Sequence, residues 1–124
     1  MTNILWEANN FTNQTDSEDG EISNEDIESI KENAHSGDAE SQYFLGLMLD
    51  MGKGLDRDPQ QAVIWYTKAA EQDHPSAQYF LGKMYDSQES GIPKDKEKAI
   101  YWYERASANH NFYAKAKLKA LIEG

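Results

Sequence analysis

The pentapeptide QYFLG occurs at residues 42–46 and again at residues 78–82, 36 positions later. Repetition of one motif at a period of about 20–50 residues is typical of stacked helical units. Each copy carries a glycine, Gly46 or Gly82, inside a stretch with a helical pattern. Since glycine destabilises a helix interior by about 0.5–1 kcal/mol relative to alanine, its return at one register predicts close packing of a paired helix. We expect the small residues Ala69 and Ala106 at these two contacts.

Each repeat is predicted to contain two helices joined by a loop. The loop of the first copy is MGKGLDRD (residues 51–58), in which two glycines interrupt the helical pattern. Asp58 followed by Pro59 is typical of a helix N-cap and first turn, and Asp95 has the same role in the second copy. The apolar stripe of the first helix is Ser41, Phe44, Leu45 and Met48, and that of the second is Ala62, Trp65, Tyr66, Ala69 and Ala70.

Half-repeats flank the two full copies. The frame continues backwards onto SNEDIESIKENAHSG (23–37) and forwards onto NFYAKAKLKALIEG (111–124), where lysines suit a solvated capping helix. One extra residue in the second copy, near Ser87–Gly91, is expected to lie in a loop, where insertions are tolerated. The predicted helices cover residues 24–36, 40–51, 59–72, 75–86, 95–108 and 112–122.

These positions carry a family resemblance over about residues 24–124. The chain resembles the Sel-one-like repeat family, which is related to the tetratricopeptide repeats. The residues that match are Leu45, Gly46, Gly52, Gly54, Asp58, Ala62, Trp65, Tyr66, Lys68, Ala69 and Ala70, and in the second copy Ala77, Leu81, Gly82, Tyr85, Asp95, Ala99, Trp102, Tyr103, Arg105 and Ala106. Ser41, Leu49 and the loop SQESGIPKD (87–95) depart from the family pattern. The resemblance implies an all-α, right-handed superhelix (solenoid) of antiparallel helix pairs, with a concave face and a binding rather than a catalytic role.

The negative charge is concentrated at the N-terminus. Of the net charge of −10, −8 lies in residues 1–37, so the remainder is nearly neutral. A nucleic-acid-binding protein needs a basic surface instead, so we do not expect a nucleic-acid ligand. Complementary charge favours a cationic protein partner. We expect an acidic segment at residues 1–22 and a helical-repeat domain at residues 23–124, in a monomer or weak dimer.

The start of the chain, MTNILWEANNF, has neither the basic flank nor the apolar run of a signal peptide. No apolar stretch reaches the about 20 residues that span a bilayer. We therefore expect a soluble, cytoplasmic protein that does not act at a membrane.

No metal, cofactor or catalytic site is expected. The chain has no cysteine, and TDSEDGEISNED (15–26) lacks the first aspartate and the last glutamate of a calcium loop. His35, His74 and His110 have no zinc-ligand spacing and are interpreted as surface residues near turns. The sequence contains no nucleophile-elbow or phosphate-loop motif, so it gives no support for an enzyme.

The candidate binding surface lies on the helix face opposite the Leu45 and Met48 stripe. Exposed tyrosines there would anchor a protein partner at low entropic cost. The alternative is that these tyrosines are partly buried between repeats. The candidate residues are Tyr43, Leu47, Asp50, Tyr79, Lys83 and Asp86, together with Asp16, Glu18, Asp19 and Glu21 of the acidic segment, which would steer the partner.

Three functional hypotheses remain open, and the third is an enzyme with an unrecognised site. The first is a small inhibitor or immunity (antitoxin-like) protein that masks one basic partner, which fits a short, acidic chain without catalytic motifs. The second is a general adaptor in a signalling or stress pathway. The number and charge of the partners distinguish the first two.

Overall fold

The computed structural model describes residues 22–124, which form six helices and no strand. They are α1 (Asn24–His35), α2 (Ala39–Met51), α3 (Pro59–Glu71), α4 (Pro75–Asp86), α5 (Lys96–Ala108) and α6 (Phe112–Glu123). The predicted bounds are confirmed to within one residue at each end.

Side-chain caps begin these helices. Asp58 accepts a hydrogen bond of 3.1 Å from the amide of Gln61, and Asp95 accepts one of 3.1 Å from Lys98. Ser23 has the same role for α1, with a bond of 3.1 Å to the amide of Asp26. Each cap satisfies one of the free N–H groups of a first helical turn. The capping roles predicted for Asp58 and Asp95 are confirmed.

The helices form an all-α repeat solenoid, as predicted. Each helix packs against the next one in the chain, and α2 with α3 and α4 with α5 are the two full repeats. We call α2, α4 and α6 leading helices and α1, α3 and α5 trailing helices. The core lies between them, and its largest fully buried apolar side chains are Tyr66, Leu81 and Tyr103.

The trailing-helix stripe is buried over its whole length, including Trp65 and both alanines at its end. In the leading helix, Phe44 differs from the prediction, since it is 42% exposed. Its counterpart Phe80 is partly buried against Tyr43 and Tyr66 of the preceding repeat. Phe44 is preceded by only half a repeat, so no equivalent aromatic pair is available to cover it among the described residues.

The two mid-helix glycines do lie at close helix contacts, but against tyrosine rather than alanine. A Cβ atom on Gly46 would come within 2.6 Å of Tyr66 Cδ1, and one on Gly82 within 2.7 Å of Tyr103 Cδ1. Each tyrosine ring therefore lies directly on the leading-helix backbone. The atoms nearest to the two glycines belong to these tyrosines and not to the expected Ala69 and Ala106, because a helical stripe does not reveal which of its members lies closest to the facing helix.

The two inter-helix loops satisfy the equivalent carbonyl group at the end of the leading helix with different donors. In the first repeat, Gly52 adopts φ 72° and its amide donates to the carbonyl of Met48 at 2.8 Å. The second repeat lacks this glycine, and the hydroxyl of Ser90 donates to the equivalent carbonyl, that of Met84, at 2.7 Å. A side chain therefore caps the helix where the longer loop has lost the backbone cap.

A buried glutamine joins each repeat to the preceding turn. The amide of Gln78 donates to the carbonyl of Ala70 at 3.0 Å and its oxygen accepts from Asn109 at 3.0 Å. Gln42 repeats the arrangement, donating to Ala34 at 3.1 Å and accepting from Gln72 at 2.9 Å. These bonds satisfy polar groups that would otherwise be buried without partners.

Candidate functional site

The predicted binding residues lie on the leading helices α2 and α4. Leu47, Asp50 and Lys83 are brought together by the fold, because all three line one cleft of about 320 Å³. The remaining lining residues are Met51, Phe80, Met84, Ser87 and Ser90. Asp86 directly precedes Ser87 at the end of α4. The cleft has an apolar floor and a few polar groups at its edge, which is the usual composition of a binding site.

Tyr43 is half-buried, so the expectation of an exposed anchor is wrong in this respect. Its ring stacks on His74 with a centroid distance of 4.7 Å and lies 6.0 Å from Phe80. Burial raises the pKa of the Tyr43 hydroxyl above its usual value. Helical spacing placed this residue opposite the core of its own repeat, but the next repeat covers part of it.

Tyr79 is also half-buried. Its ring centroid lies 6.2 Å from that of Tyr103 and 5.9 Å from that of Tyr113. Burial is the main cause that raises the pKa of its hydroxyl. The alternative interpretation of these tyrosines, partial burial between repeats, therefore describes their environment. Whether their free edges contact a partner stays a prediction.

The two aspartates of the surface also have a structural role. Asp50 accepts a hydrogen bond of 3.1 Å from the hydroxyl of Tyr66, and Asp86 accepts one of 3.2 Å from Tyr103. In each case one carboxylate oxygen is used. Both residues remain partly exposed, so each carries negative charge to the edge of the candidate surface.

Lys83 is the exposed residue in the middle of this surface. Its Nζ lies 5.5 Å from the ring centroid of Tyr79 and 5.2 Å from that of Phe80, within the range of cation–π attraction. Its aliphatic stem covers aromatic surface while the ammonium group reaches solvent. Lys83 is the one basic side chain that lines the cleft within residues 22–124.

His74 was interpreted as a surface turn residue, but the structure gives it a more specific position. Its Nδ1 accepts from the amide of Ala77 at 3.1 Å and caps α4. Its Nε2 lies 2.6 Å from a carboxylate oxygen of Glu40. The ring therefore fixes the start of α4 beside Tyr43. The dipeptide His74-Pro75 is the local signal that could have indicated this cap.

Asp16, Glu18, Asp19 and Glu21 lie outside the described residues, so their predicted steering role stays a prediction. Within residues 22–124, no group of three or more histidine, aspartate or glutamate side chains is placed to hold a metal ion. None of the helices described is both long enough and apolar enough to cross a bilayer.

A second cleft, of about 340 Å³, is lined by residues of α1, α2 and α3 and by Leu55 of the first loop. Its walls include Leu45, Leu49, Leu55 and Trp65, with His35 packed edge-on against the tryptophan at 4.9 Å. This second cleft is the natural comparison for any test of the α2–α4 surface.

Two curated proteins match part of the chain. An Arabidopsis thaliana protein named ERAD-associated E3 ubiquitin-protein ligase component HRD3A is 34% identical over 62 residues, which are 49% of this chain and 9% of that protein. Chitin synthase regulatory factor 3 of Schizosaccharomyces pombe is 43% identical over 44 residues, 36% of this chain and 5% of that protein. The chain thus spans less than a tenth of either relative.

Two solved structures share the fold. One is c5321, described as a protective antigen in uropathogenic Escherichia coli strains with an SLR fold, with a TM-score of 0.71 and 34% identity over 74% of this chain and 20% of that one. The other is a Sel1 repeat protein from Oxalobacter formigenes, with a TM-score of 0.73 and 36% identity over 77% of this chain and 27% of that one.

The model of the Sel1 repeat matches residues 39–74 and residues 75–111, which are α2 with α3 and α4 with α5 together with their connecting turns. These two matches cover more than half of the 124 residues. The two matched ranges coincide with the repeat frame that QYFLG defines and with the helix pairs of the structure. This chain belongs to the Sel1 repeat family.

Proposed function

We propose that this chain is a protein-binding module that holds a cationic protein against the surface formed by α2 and α4. The observation that supports the proposal most directly is the shared cleft of Leu47, Asp50 and Lys83. An apolar side chain of a partner would fill the cleft, and a neighbouring lysine or arginine would pair with Asp50 or Asp86. Buried apolar anchors supply most of the binding energy in such interfaces.

The charge distribution supports a cationic partner. Asp50 and Asp86 each use one oxygen for a tyrosine hydroxyl and keep their negative charge at the surface. The segment before residue 38 adds −8. Complementary charges of this kind increase the rate of encounter more than the final affinity. Lys83 is the one cleft residue, among those described, that would oppose a cation.

The names of the relatives also support protein binding rather than catalysis. HRD3A is named as a component of a ubiquitin ligase, and the yeast protein is named as a regulatory factor. Both names describe proteins that act together with other proteins. Because the chain corresponds to a small part of each relative, a binding role is the one property of these relatives that we propose for this chain.

The finer proposal is that the chain masks a single basic partner, as an inhibitor or immunity protein does. The net charge of −10 favours this version. A general adaptor role is the second candidate, and the component and regulator names of the relatives favour it.

The test is affinity capture of partners by the tagged full-length chain, followed by mass spectrometry. Lys83→Glu should increase recovery of a basic protein, because it removes the opposing charge from the cleft. Lys96→Glu, an equal charge change at an exposed site on α5, is the matched control. One basic protein supports masking, and several unrelated proteins support an adaptor. Equal recovery with both variants would contradict the α2–α4 surface as the binding site.

A further inference from the structure

The loop between α4 and α5, SQESGIPKD (87–95), departs from the family pattern and builds a third cleft, of about 320 Å³. Its last four residues form half of the lining, and the rest comes from α3, the end of α4 and the first turn of α5. The lining residues are Gln60, Val63, Tyr85, Ile92, Pro93, Lys94, Asp95 and Lys98. None of them lines the cleft of Leu47, Asp50 and Lys83, so the third cleft is a separate surface.

Contacts with the start of α3 hold this loop in place. The Nη2 of Arg57 donates to the carbonyl of Ser90 at 2.7 Å, and the Nε2 of Gln60 donates to the carbonyl of Gly91 at 3.3 Å. A Cβ atom on Gly91, which has φ 98°, would come within 2.5 Å of Pro59. The loop therefore lies directly on the first turn of α3, and the cleft is already formed without a ligand, as binding sites usually are.

The third cleft has an apolar floor and a basic edge. Val63, Tyr85 and Ile92 are partly buried against the core. Lys94 and Lys98 are exposed beside them, and the Nζ of Lys98 lies 5.3 Å from the ring centroid of Tyr85. Within residues 22–124, neither lysine takes part in an ion pair. Both ammonium groups are therefore available to a carboxylate from outside the described chain.

Asp95 is the one acidic residue among those that line this cleft. Its carboxylate accepts a hydrogen bond of 3.1 Å from the amide of Lys98 and so caps α5. The first turn of a helix carries a partial positive charge, which a capping carboxylate offsets. The side chains of Lys94 and Lys98 consequently determine the sign of the charge at the edge of the cleft.

The first repeat shows that a lysine is not needed for packing at the position of Lys98. Three repeat positions line clefts in both repeats, and the pairs are Leu49 with Tyr85, Leu55 with Ile92, and Gln61 with Lys98. The basic residue Lys31 of the first-repeat cleft is paired with Glu28 at 3.8 Å. Stacking of repeats therefore accounts for an apolar cleft, whereas the two unpaired lysines distinguish the cleft of the second repeat.

We infer that this cleft binds an acidic segment of a second protein, in which an apolar side chain is flanked by aspartate or glutamate. The apolar side chain packs on Val63, Tyr85 and Ile92, and the neighbouring carboxylates pair with Lys94 and Lys98. This partner is opposite in charge to the one proposed for the α2–α4 surface. Because the two clefts share no lining residue, one chain can hold both partners and join them.

The test selects peptides from a random library displayed on phage, with the full-length chain as the target, and measures their binding in solution by fluorescence polarisation. Peptides with an apolar residue next to aspartate or glutamate should be enriched. Their binding should weaken when NaCl is raised from about 0.1 to 1 M, because the screening length falls from about 10 to 3 Å. Basic peptides are expected at the α2–α4 surface and do not bear on this cleft. Absence of acidic peptides from the selected set would overturn the inference.

Substitutions then locate the site of the acidic peptides. Lys94→Gln/Lys98→Gln should weaken their binding by about fivefold or more, since two exposed ion pairs are lost. The first repeat already has glutamine at the second position, so the fold accepts it. Lys117→Gln/Lys119→Gln removes the same charge from exposed positions of α6 and is the matched control. Equal weakening by the two double variants would overturn the inference.

A further variant distinguishes a second protein from the chain's own N-terminal segment as the occupant. Trp6 lies outside the described residues, and Trp6→Ser changes no charge. The affinity of the acidic peptides should be the same in this variant as in the wild type. A higher affinity would show that the N-terminal segment competes for the cleft, and it would overturn the assignment to a second protein.

Discussion

The ring of Tyr66 packs against the backbone of α2 at Gly46, and its hydroxyl donates a hydrogen bond of 3.1 Å to Asp50, one helical turn further along. Tyr103 repeats this arrangement with Gly82 and Asp86 on α4. The glycine makes room for the ring and the aspartate satisfies the hydroxyl. The same carboxylate also reaches the candidate binding surface, so packing within a repeat fixes the position of a charge that a partner would meet.

Removing the Tyr66 hydroxyl should therefore destabilise the fold. We expect Tyr66→Phe to lower the free energy of unfolding by about 1–2 kcal/mol, because the bond is largely shielded and its acceptor is charged. Urea denaturation followed by circular dichroism measures the change. Tyr113→Phe, at a residue that is 74% exposed, is the control and should have an effect within about 0.5 kcal/mol. Equal stability of the two variants would mean that the Tyr66–Asp50 bond contributes nothing.

Gly82→Ala should also destabilise the protein, although alanine is the better helix former. The new methyl group would lie 2.7 Å from the Tyr103 ring, and overpacking of this kind costs about 1–3 kcal/mol. This loss of stability should exceed the gain of about 1 kcal/mol that alanine gives over glycine through its higher helix propensity. Ala116→Gly at an exposed site in α6 calibrates the propensity effect alone. A rise in the melting temperature of Gly82→Ala would contradict the packing described for this glycine.

Alkaline pH should weaken the fold through the same tyrosines. Burial, followed by the nearby aspartate, raises the pKa of Tyr66 and of Tyr103 above the usual value. A raised pKa in the folded state means that stability is complete below the unfolded pKa of about 10 and is lost above it. Each tyrosine should remove about 1.4 kcal/mol per pH unit above that point.

Urea titrations at pH 9, 10 and 11 measure this loss. The double variant Tyr66→Phe/Tyr103→Phe should show a shallower decline than the wild type, because its two buried side chains no longer titrate. Parallel declines of the two proteins would show that other groups control alkaline stability.

The acidic segment should control how fast a partner arrives. Replacing Asp16, Glu18, Asp19 and Glu21 by their amides should slow association and flatten its dependence on salt, as the loss of peripheral charges does. Surface plasmon resonance at several NaCl concentrations measures both effects with the captured partner. An unchanged association rate would show that these four acidic residues do not steer the partner.

Tyr43 and Tyr79 should instead control how long the partner stays bound. Their replacement by alanine should increase the dissociation rate, at a cost of about 2 kcal/mol for each residue that acts as an anchor. Because both rings are half-buried, circular dichroism must first show that the variants keep their helices. If the folded variants bind as the wild type does, the cleft lined by α1, α2 and α3 becomes the leading candidate for the binding site.

The elements of this fold follow from local patterns, whereas the contacts of the surface do not. Asp58-Pro59 and Asp95 mark helix starts because a cap bonds to an amide three residues away. The bond from Tyr66 to Asp50 joins residues 16 positions apart on separate helices, and no spacing rule encodes it. Exposure of Tyr43 was misjudged for a related reason, since the ring of Phe80 that covers it belongs to the next repeat. The cleft itself is a product of stacking, although Leu47, Asp50 and Lys83 were correctly placed together on one surface.

The buried glutamines have a consequence for how this stack comes apart. Gln78 is fully buried; its amide donates to Ala70 of the preceding repeat, and its oxygen accepts from Asn109 at the end of its own repeat. Peeling the preceding repeat away would break the bond to Ala70, and such a bond contributes about 0.5–1.5 kcal/mol. In repeat proteins, such interface terms set how strongly neighbouring units are coupled. Gln42 and Gln78 therefore penalise partly unfolded states, and the helices from α1 to α6 should melt in a single cooperative transition rather than fray from their ends.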